Sequence, residues 1–427
     1  MIKVADAGYN AGQVIACVEK AREQGVKVLV FPELTLTGCS CYDLFQHSVL
    51  LRGAEKALLK VVEATEGVDM LIFVGLPVAA GSRLYSCAAA VYNGALLALV
   101  PRQNVAGSPF AAPEHDTAEL TLGGVPVPLG TDILFDSAVL PGLTVGVELG
   151  ADMDAVIPPS ALHAQAGATL IAQMASFPET VSSADEAELS IRSLSRRFKC
   201  GMLMAAPGKG ESSTDNVFSG LCMAAENGAV LARAEQEDSF IVTEFDVEHM
   251  MNLRRASGGF DLSDCAYELI DFGAEEEETK LSRVYRMHPH LPADPAKLPD
   301  YCRRMLDIQV SGLVKRMKYA GLDHCVVGIS GGSDSTLTVM VCAMAMKRMG
   351  LPSTNVVACT LPCFGTSSRT KSNAIVVAEQ CGAEVRVIDI GKSVYQHFDD
   401  IGHAHDDYSI AFENAQARER TQVLMDI

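Results

Sequence analysis

The stretch HCVVGISGGSDSTLTVMV, residues 324–341, constrains the fold more than any other part of the chain. An apolar strand runs into Ser330, Gly331, Gly332, Ser333, Asp334 and Ser335, and a helix begins at once. Glycines let the backbone approach an anion, and the unpaired N–H groups of a helix's first turn point towards it. Serine hydroxyls add donors, and Asp334 is a candidate ligand for Mg2+ held against phosphate charge. No Gly-Lys-Ser/Thr follows, so this is not the loop of NTPases that transfer a γ-phosphate. The surrounding pattern is α/β: helix 299–320, strand 324–330, helix 336–349, strand 355–362, helix 369–381, strand 384–390 and helix 411–426.

The chain has 427 residues, enough for two domains, and they differ in texture. Ahead of residue 255 the pattern predicts a helix over 9–24, with Asn10 as candidate N-cap, and helices near 159–168 and 184–200. Strands are expected at 27–31, 71–78, 143–149, 168–174, 202–207 and 239–246. Asn93-Gly94 and Asn227-Gly228 supply the positive-φ pair of a type I′ turn, so each predicts a hairpin. GAEEEETK (273–280) and Pro289, Pro292, Pro295 and Pro299 read as linker. The expected division is 1–255, a linker over 256–298, and 299–427.

A formal charge of −19 argues against a nucleic-acid or anionic-membrane surface. No apolar run reaches the roughly 20 residues that span a bilayer. Thirteen cysteines without paired metal spacing, and no export signal, point to a reduced, cytoplasmic protein.

The loop resembles the SGGxDS motif of the ATP pyrophosphatase (adenine nucleotide alpha hydrolase) superfamily. In that superfamily it grips the leaving pyrophosphate while a substrate oxygen attacks the α-phosphate. TLPCFGTSSRTKSNA (360–374) and FENAQARERTQVLMD (412–426) resemble the NAD synthetase branch. The resemblance implies ATP contacts at Gly328, Ile329, Ser330 to Ser335 and Thr366, a metal at Asp334, and substrate contacts at Asn414 and Arg418. VLVFPELTLTG (28–38) resembles the start of the nitrilase, or carbon–nitrogen hydrolase, family. This implies an N-terminal αββα sandwich ahead of a doubly wound parallel sheet, the layout of glutamine-dependent NAD synthetases.

The family's amidase site needs a glutamate base, a lysine for the oxyanion and a cysteine nucleophile. Glu33 matches the base. Arg102, in LVPRQNVAGSPF, stands at the lysine position, and arginine is longer and planar. The nucleophile's Gly-x-Glu-x-Cys-x-Asp pattern reads GVELGAD here: Gly146, Glu148 and Asp152 are kept, and Gly150 replaces cysteine. Gln173 stands at an expected asparagine and Ala187-Glu188 near an expected arginine. Cys39 and Cys41, in the turn after Glu33, are no evident substitute. Glycine cannot form a thioester, so glutamine hydrolysis is expected to be lost and an active nitrilase is disfavoured.

The expected reaction is ATP- and Mg2+-dependent amidation of deamido-NAD by ammonia, releasing AMP and pyrophosphate, in a homo-oligomer. The alternative is a non-catalytic scaffold or regulatory paralogue. The family pattern begins before KVADAGYN and runs on past TQVLMD, so the resemblance implies a fragment or a partner that supplies the rest.

Overall fold

The computed structural model describes all residues except 114–116, 212–214, 236–239, 261–265, 279–282 and 365–367. It divides into two compact units, Met1–Val284 and Tyr285–Ile427.

In the first unit, α1 (Ala7–Arg22) precedes the short strand β1 (Val28–Val30), and α2 (Ser48–Ala64) precedes β2 (Leu71–Ala80). β3 (Arg83–Tyr92) and β4 (Ala95–Pro101) form the first Asn-Gly hairpin, with Asn93 at φ +47° and Gly94 at +77°. β5 (Ala118–Leu122) and β6 (Val125–Leu129) complete a sheet of order β1-β2-β3-β4-β6-β5, in which β1 pairs parallel to β2 and lies at one edge.

The second sheet takes β7 (Ile133–Asp136), β8 (Thr144–Leu149), β9 (Leu170–Met174), β10 (Gly201–Ala205), β11 (Leu221–Glu226) and β12 (Ala229–Glu235). Helices α3 (Pro159–Gln165) and α4 (Ser183–Phe198) connect its strands, α5 (Val247–Ser257) follows, and β13 (Glu268–Asp271) pairs parallel to β7. The inner faces of the two sheets meet through Phe73, Val100, Phe135, Val147 and Leu149, with the Phe73 and Phe135 rings edge-on at 5.3 Å. Val14, Val18, Leu58 and Val61 lay α1 and α2 on the outer face of the first sheet. Ala164, Ile191 and Phe198 lay α3 and α4 on the second. The result is the expected αββα sandwich.

Arg254, on α5, ties down two helix ends. Its guanidinium donates to the carbonyls of Gly167, Ala168, Phe198 and Lys199, just past α3 and α4. Those are the negative ends of the two helices, which is why a buried cation is stable there.

Three expectations are corrected. Residues 240–246 form no strand. The α1 cap is Asp6, whose carboxylate accepts from Tyr9 N at 3.0 Å. Asn10 is instead buried and bonds the carbonyls of Lys3 and Leu36, so its amide is spent on tertiary contacts. Within the segment read as linker, β13 belongs to the second sheet, and Arg283 holds the buried Glu226 carboxylate with bonds of 2.6 and 2.9 Å. Chain composition there is loop-like, but long-range pairing recruits it.

The second unit opens with α6 (Leu298–Ala320). It then alternates β14 (Cys325–Gly328), α7 (Ser333–Met349), β15 (Val356–Thr360), α8 (Ser368–Gln380), β16 (Glu384–Val387), α9 (Gly391–Ile401) and α10 (Ile410–Asp426). Its three described strands are parallel, in the order β14-β15-β16. Met317, Val339, Met346 and Ala374 pack one face, and Val394, Phe398, Phe412 and Ala415 the other. Helices on both faces make this a doubly wound sheet.

Among the described residues every cysteine is a free thiol, and no helix is long and apolar enough to cross a membrane.

Candidate active sites

In the first unit the strand ends bring together Glu33, Ser86, Arg102 and Gly150. Glu33 follows β1 and Pro32, and its N–H donates to Ala175 O at 3.1 Å, pinning the turn to the far side of β9. Its carboxylate is fully buried. Ser86, on β3, donates to Oε1 at 2.6 Å. Arg102 leaves the end of β4, its N–H bonded to Ser86 O, and its Nη1 lies 3.4 Å from Glu33 Oε1 and 3.5 Å from Oε2. Glu33 and Arg102 are thus an ion pair within the sandwich. Ser86 carried no signal in the sequence, because a serine on an apolar strand is read as a packing residue.

Gly150 opens the short 3-10 turn after β8, with φ +51°. A Cβ built there would fall inside the van der Waals shell of Glu33 Oε2 and lie 2.9 Å from Arg102 Cζ and Nη1. The ion pair therefore occupies the space that a side chain at position 150 would need. The turn itself is held by Asp152, whose carboxylate accepts from the N–H groups of Leu149 (3.1 Å), Gln103 (3.0 Å) and Asn104 (2.6 Å). Burial pushes the Asp152 carboxyl up to about 6 against those bonds. Asn104 Nδ2 adds a bond to Ala151 O at 2.9 Å, and Gln173 Nε2 one to Gly150 O at 3.0 Å.

Behind the turn, Glu148 is fully buried and its Oε2 accepts from Ser160 N, in the first turn of α3, at 2.9 Å. Desolvation pushes its carboxyl up to about 7. His163 sits over β8, with Nε2 3.1 Å from Val147 O and Nδ1 2.9 Å from the Tyr267 hydroxyl. Nε2 therefore donates to the carbonyl and Nδ1 accepts from the phenol, and burial pulls the imidazole down to about 4. Cys39 and Cys41 pack beside the buried Glu211, and desolvation raises both thiols, Cys41 to about 11. Neither is a thiolate nucleophile at neutral pH.

In the second unit β14 feeds the loop as expected. Ile329 N donates to Cys359 O at 2.8 Å, and Gly331 takes φ +82°. Ser335 Oγ donates to Gly332 O at 3.2 Å and receives Ser330 N at 3.3 Å, which closes the loop on itself. Gly332 caps α7, leaving the N–H groups of Ser333, Asp334 and Ser335 in the unpaired first turn. A Cβ at Gly328 would lie 2.8 Å from Leu424 Cδ1 of α10, so a side chain there has to move the end of that leucine. Asp334 is exposed in that first turn. Among the described residues no three His, Cys, Asp or Glu side chains form a metal cage. A Mg2+ ion fits Asp334 only with phosphate oxygens and water as the other ligands, which is its usual habit. Asn414 and Arg418 stand one turn apart on the exposed side of α10. Thr366 lies outside the described residues.

The carbon–nitrogen hydrolase family matches residues 1–255 and the NAD synthase family residues 305–427. The glutamine-dependent NAD(+) synthetases of Mycobacterium tuberculosis and Mycobacterium leprae are 35% and 34% identical over 99% of this chain. The chain spans 66% and 65% of their lengths. Among solved structures, the glutamine-dependent NAD(+) synthetase from Cytophaga hutchinsonii aligns with 99% of this chain and 70% of its own, at 19% identity and a TM-score of 0.49.

Proposed function

The chain belongs to the carbon–nitrogen hydrolase family and carries an NAD synthase module behind that domain, and from this premise we propose that it amidates deamido-NAD with free ammonia and not with glutamine. The loop 330–335 supports the ATP half of the reading. The N–H groups of Ser333, Asp334 and Ser335 stand in the unpaired first turn of α7, beside a loop closed by Ser330 and Ser335, and a helix N-terminus favours phosphate. They would hold the pyrophosphate as the substrate carboxylate displaces it from the α-phosphate, leaving an acyl-adenylate that ammonia attacks with loss of AMP. Asp334 would hold Mg2+, which offsets charge on the departing pyrophosphate. Asn414 and Arg418 would contact the dinucleotide.

Gly150 carries the choice of nitrogen donor. Without a thiol no thioester forms, and the Glu33–Arg102 pair fills the space where one would stand. The scaffold reading shares this observation, because an inert amidase domain serves a non-catalytic subunit equally well.

A coupled assay for NAD formation, run with ammonium chloride and with glutamine, tests the proposal. Turnover with ammonium alone supports it. Turnover with glutamine refutes the loss of amidase chemistry, and none with either nitrogen source favours the scaffold.

A further inference from the structure

Two cysteines flank the loop from Ser330 to Ser335, one on each element that the loop joins. Cys325 is the first residue of β14, and Cys342 lies midway along α7. Alternate strand residues share a face, so Cys325 points the same way as Val327. Cys342 follows Val339 by three residues and precedes Met346 by four, which puts all three on one face of the helix. Val327, Val339, Cys342 and Met346 are buried in one cluster, and Cys325 packs against it. Cys325 Sγ also lies 3.5 Å from Met317 Sδ, in the last turn of α6, and Met317 belongs to that cluster. The Cys325 sulfur is thus turned inward, towards Cys342.

The two thiols also differ in character. Hydrogen bonding from Cys342 holds the Cys325 thiol below its ordinary range, and the same contact pushes the Cys342 thiol up. Cys359, Cys363 and Cys381 of the same unit carry no such partner, and burial raises each of their thiols. Cys325 is half-buried, whereas Cys342 is buried. A solvent-reachable sulfur that ionises readily, backed by a shielded thiol, is the arrangement in which one cysteine reacts and the second resolves it.

We propose that Cys325 and Cys342 form an oxidisable dithiol, which a hydroperoxide converts into a disulfide joining β14 to α7. The Cys325 thiolate attacks one peroxide oxygen and breaks the O–O bond, giving a sulfenic acid. With hydrogen peroxide the other oxygen departs as hydroxide and recovers the proton that Cys325 had lost, forming water. The Cys342 sulfur then attacks the Cys325 sulfur: the S–S bond forms, the S–O bond breaks, and hydroxide leaves as water with the Cys342 proton. Two thiols lose two electrons and one peroxide gains them. The new bond closes a covalent ring that contains the whole loop Ser330–Ser335, so it limits how far β14 and α7 can part. As a control on nucleotide binding this rests on the ATP reading of the loop, whereas the thiol chemistry stands without it.

Between Lys318 and Lys347 the sequence has no lysine or arginine, so trypsin releases Cys325 and Cys342, and no other cysteine, in one peptide. The full chain, Cys325→Ser and Cys342→Ser are treated with a modest excess of hydrogen peroxide, alkylated, digested and measured by mass spectrometry. The unmutated peptide is expected to lose both alkylation sites together, to weigh two hydrogens less, and to recover with dithiothreitol. Cys342→Ser should stop at a sulfenic acid on Cys325 that a cyclic dione traps. Cys325→Ser should leave Cys342 about ten-fold or more slower to oxidise. Amide exchange across Ser330–Ser335 should slow by about ten-fold in the disulfide form. Sulfinic acid on Cys325 with Cys342 still free, a disulfide to any other cysteine, or unchanged Cys342 oxidation in Cys325→Ser overturns the pairing. Unchanged exchange overturns the restraint on the loop. None of these readings uses turnover, so a failure here is distinct from a failure of the ATP reading.

Discussion

Restoring the missing thiol by Gly150→Cys is expected to destabilise the first unit and to recover no glutamine hydrolysis. The cost has two sources. A non-glycine residue at φ +51° is strained by about 1–2 kcal/mol. Its Cβ also displaces Glu33 Oε2 and the Arg102 guanidinium, breaking a buried charge-assisted contact worth about 1.5–3 kcal/mol. The sum is about 2.5–5 kcal/mol, at about 2–4 °C of melting temperature per kcal/mol for a unit of this size. Urea unfolding of Gly150→Cys, Arg102→Lys and the double variant measures it. Lysine keeps the positive charge near Glu33 without the planar head, so the double variant should regain about 1 kcal/mol relative to additivity. A Gly150→Cys protein within about 0.5 kcal/mol of the parent, or one that releases glutamate from glutamine, would refute the idea that the ion pair has closed the site.

Other expectations concern separate parts of the molecule. Glu148 has its carboxyl raised to about 7, so the folded state binds the extra proton and this group's contribution to stability falls as pH rises from about 4.5 to 7. Glu148→Gln should therefore be near neutral at pH 4.5 and stabilising by about 2–3 kcal/mol at pH 8, read by urea unfolding at both. His163, pulled down to about 4, contributes with the opposite sign, favouring the fold as pH rises from about 4 to 6.5. His163→Gln should flatten that part of the pH–stability curve. Asp334→Asn, at an exposed position, should leave the melting temperature unchanged and lower ATP-dependent pyrophosphate release by about 100-fold. Gly328→Val should cost about 1–3 kcal/mol in the second unit by pushing Leu424 off the strand, read by thermal unfolding.

Local chemistry was legible where a short motif dictates the backbone. Asn93-Gly94 and Asn227-Gly228 adopt the positive φ angles that their turn needs, and the loop from Ser330 to Ser335 lies between a strand and a helix as its glycines imply. Gly123-Gly124 carries the same kind of signal for the β5–β6 hairpin, at φ +55° and +85°, and passed unread inside a proline-rich stretch. The strand β13 could not be read locally, because Glu268–Asp271 is acidic and largely exposed and becomes a strand only by pairing with β7. The segment 240–246 errs the other way: its propensity is strand-like, yet among the described residues no strand pairs with it. At the candidate site the sequence identifies Gly150 and Arg102. The reach of the guanidinium to Glu33, and the Ser86 hydroxyl beneath it, depend on how β3 and β4 align.

The carboxylate of Asp152 has a further consequence. All three of its bonds run to main-chain N–H groups, and none involves the side chain at position 150. The turn's shape is consequently set by main-chain bonds, which hold Gly150 in the left-handed conformation. A side chain at position 150 therefore meets resistance twice, from that φ and from the Glu33–Arg102 pair. Glycine fits there as the structure stands, and any larger residue must first displace the Glu33 carboxylate and the Arg102 guanidinium.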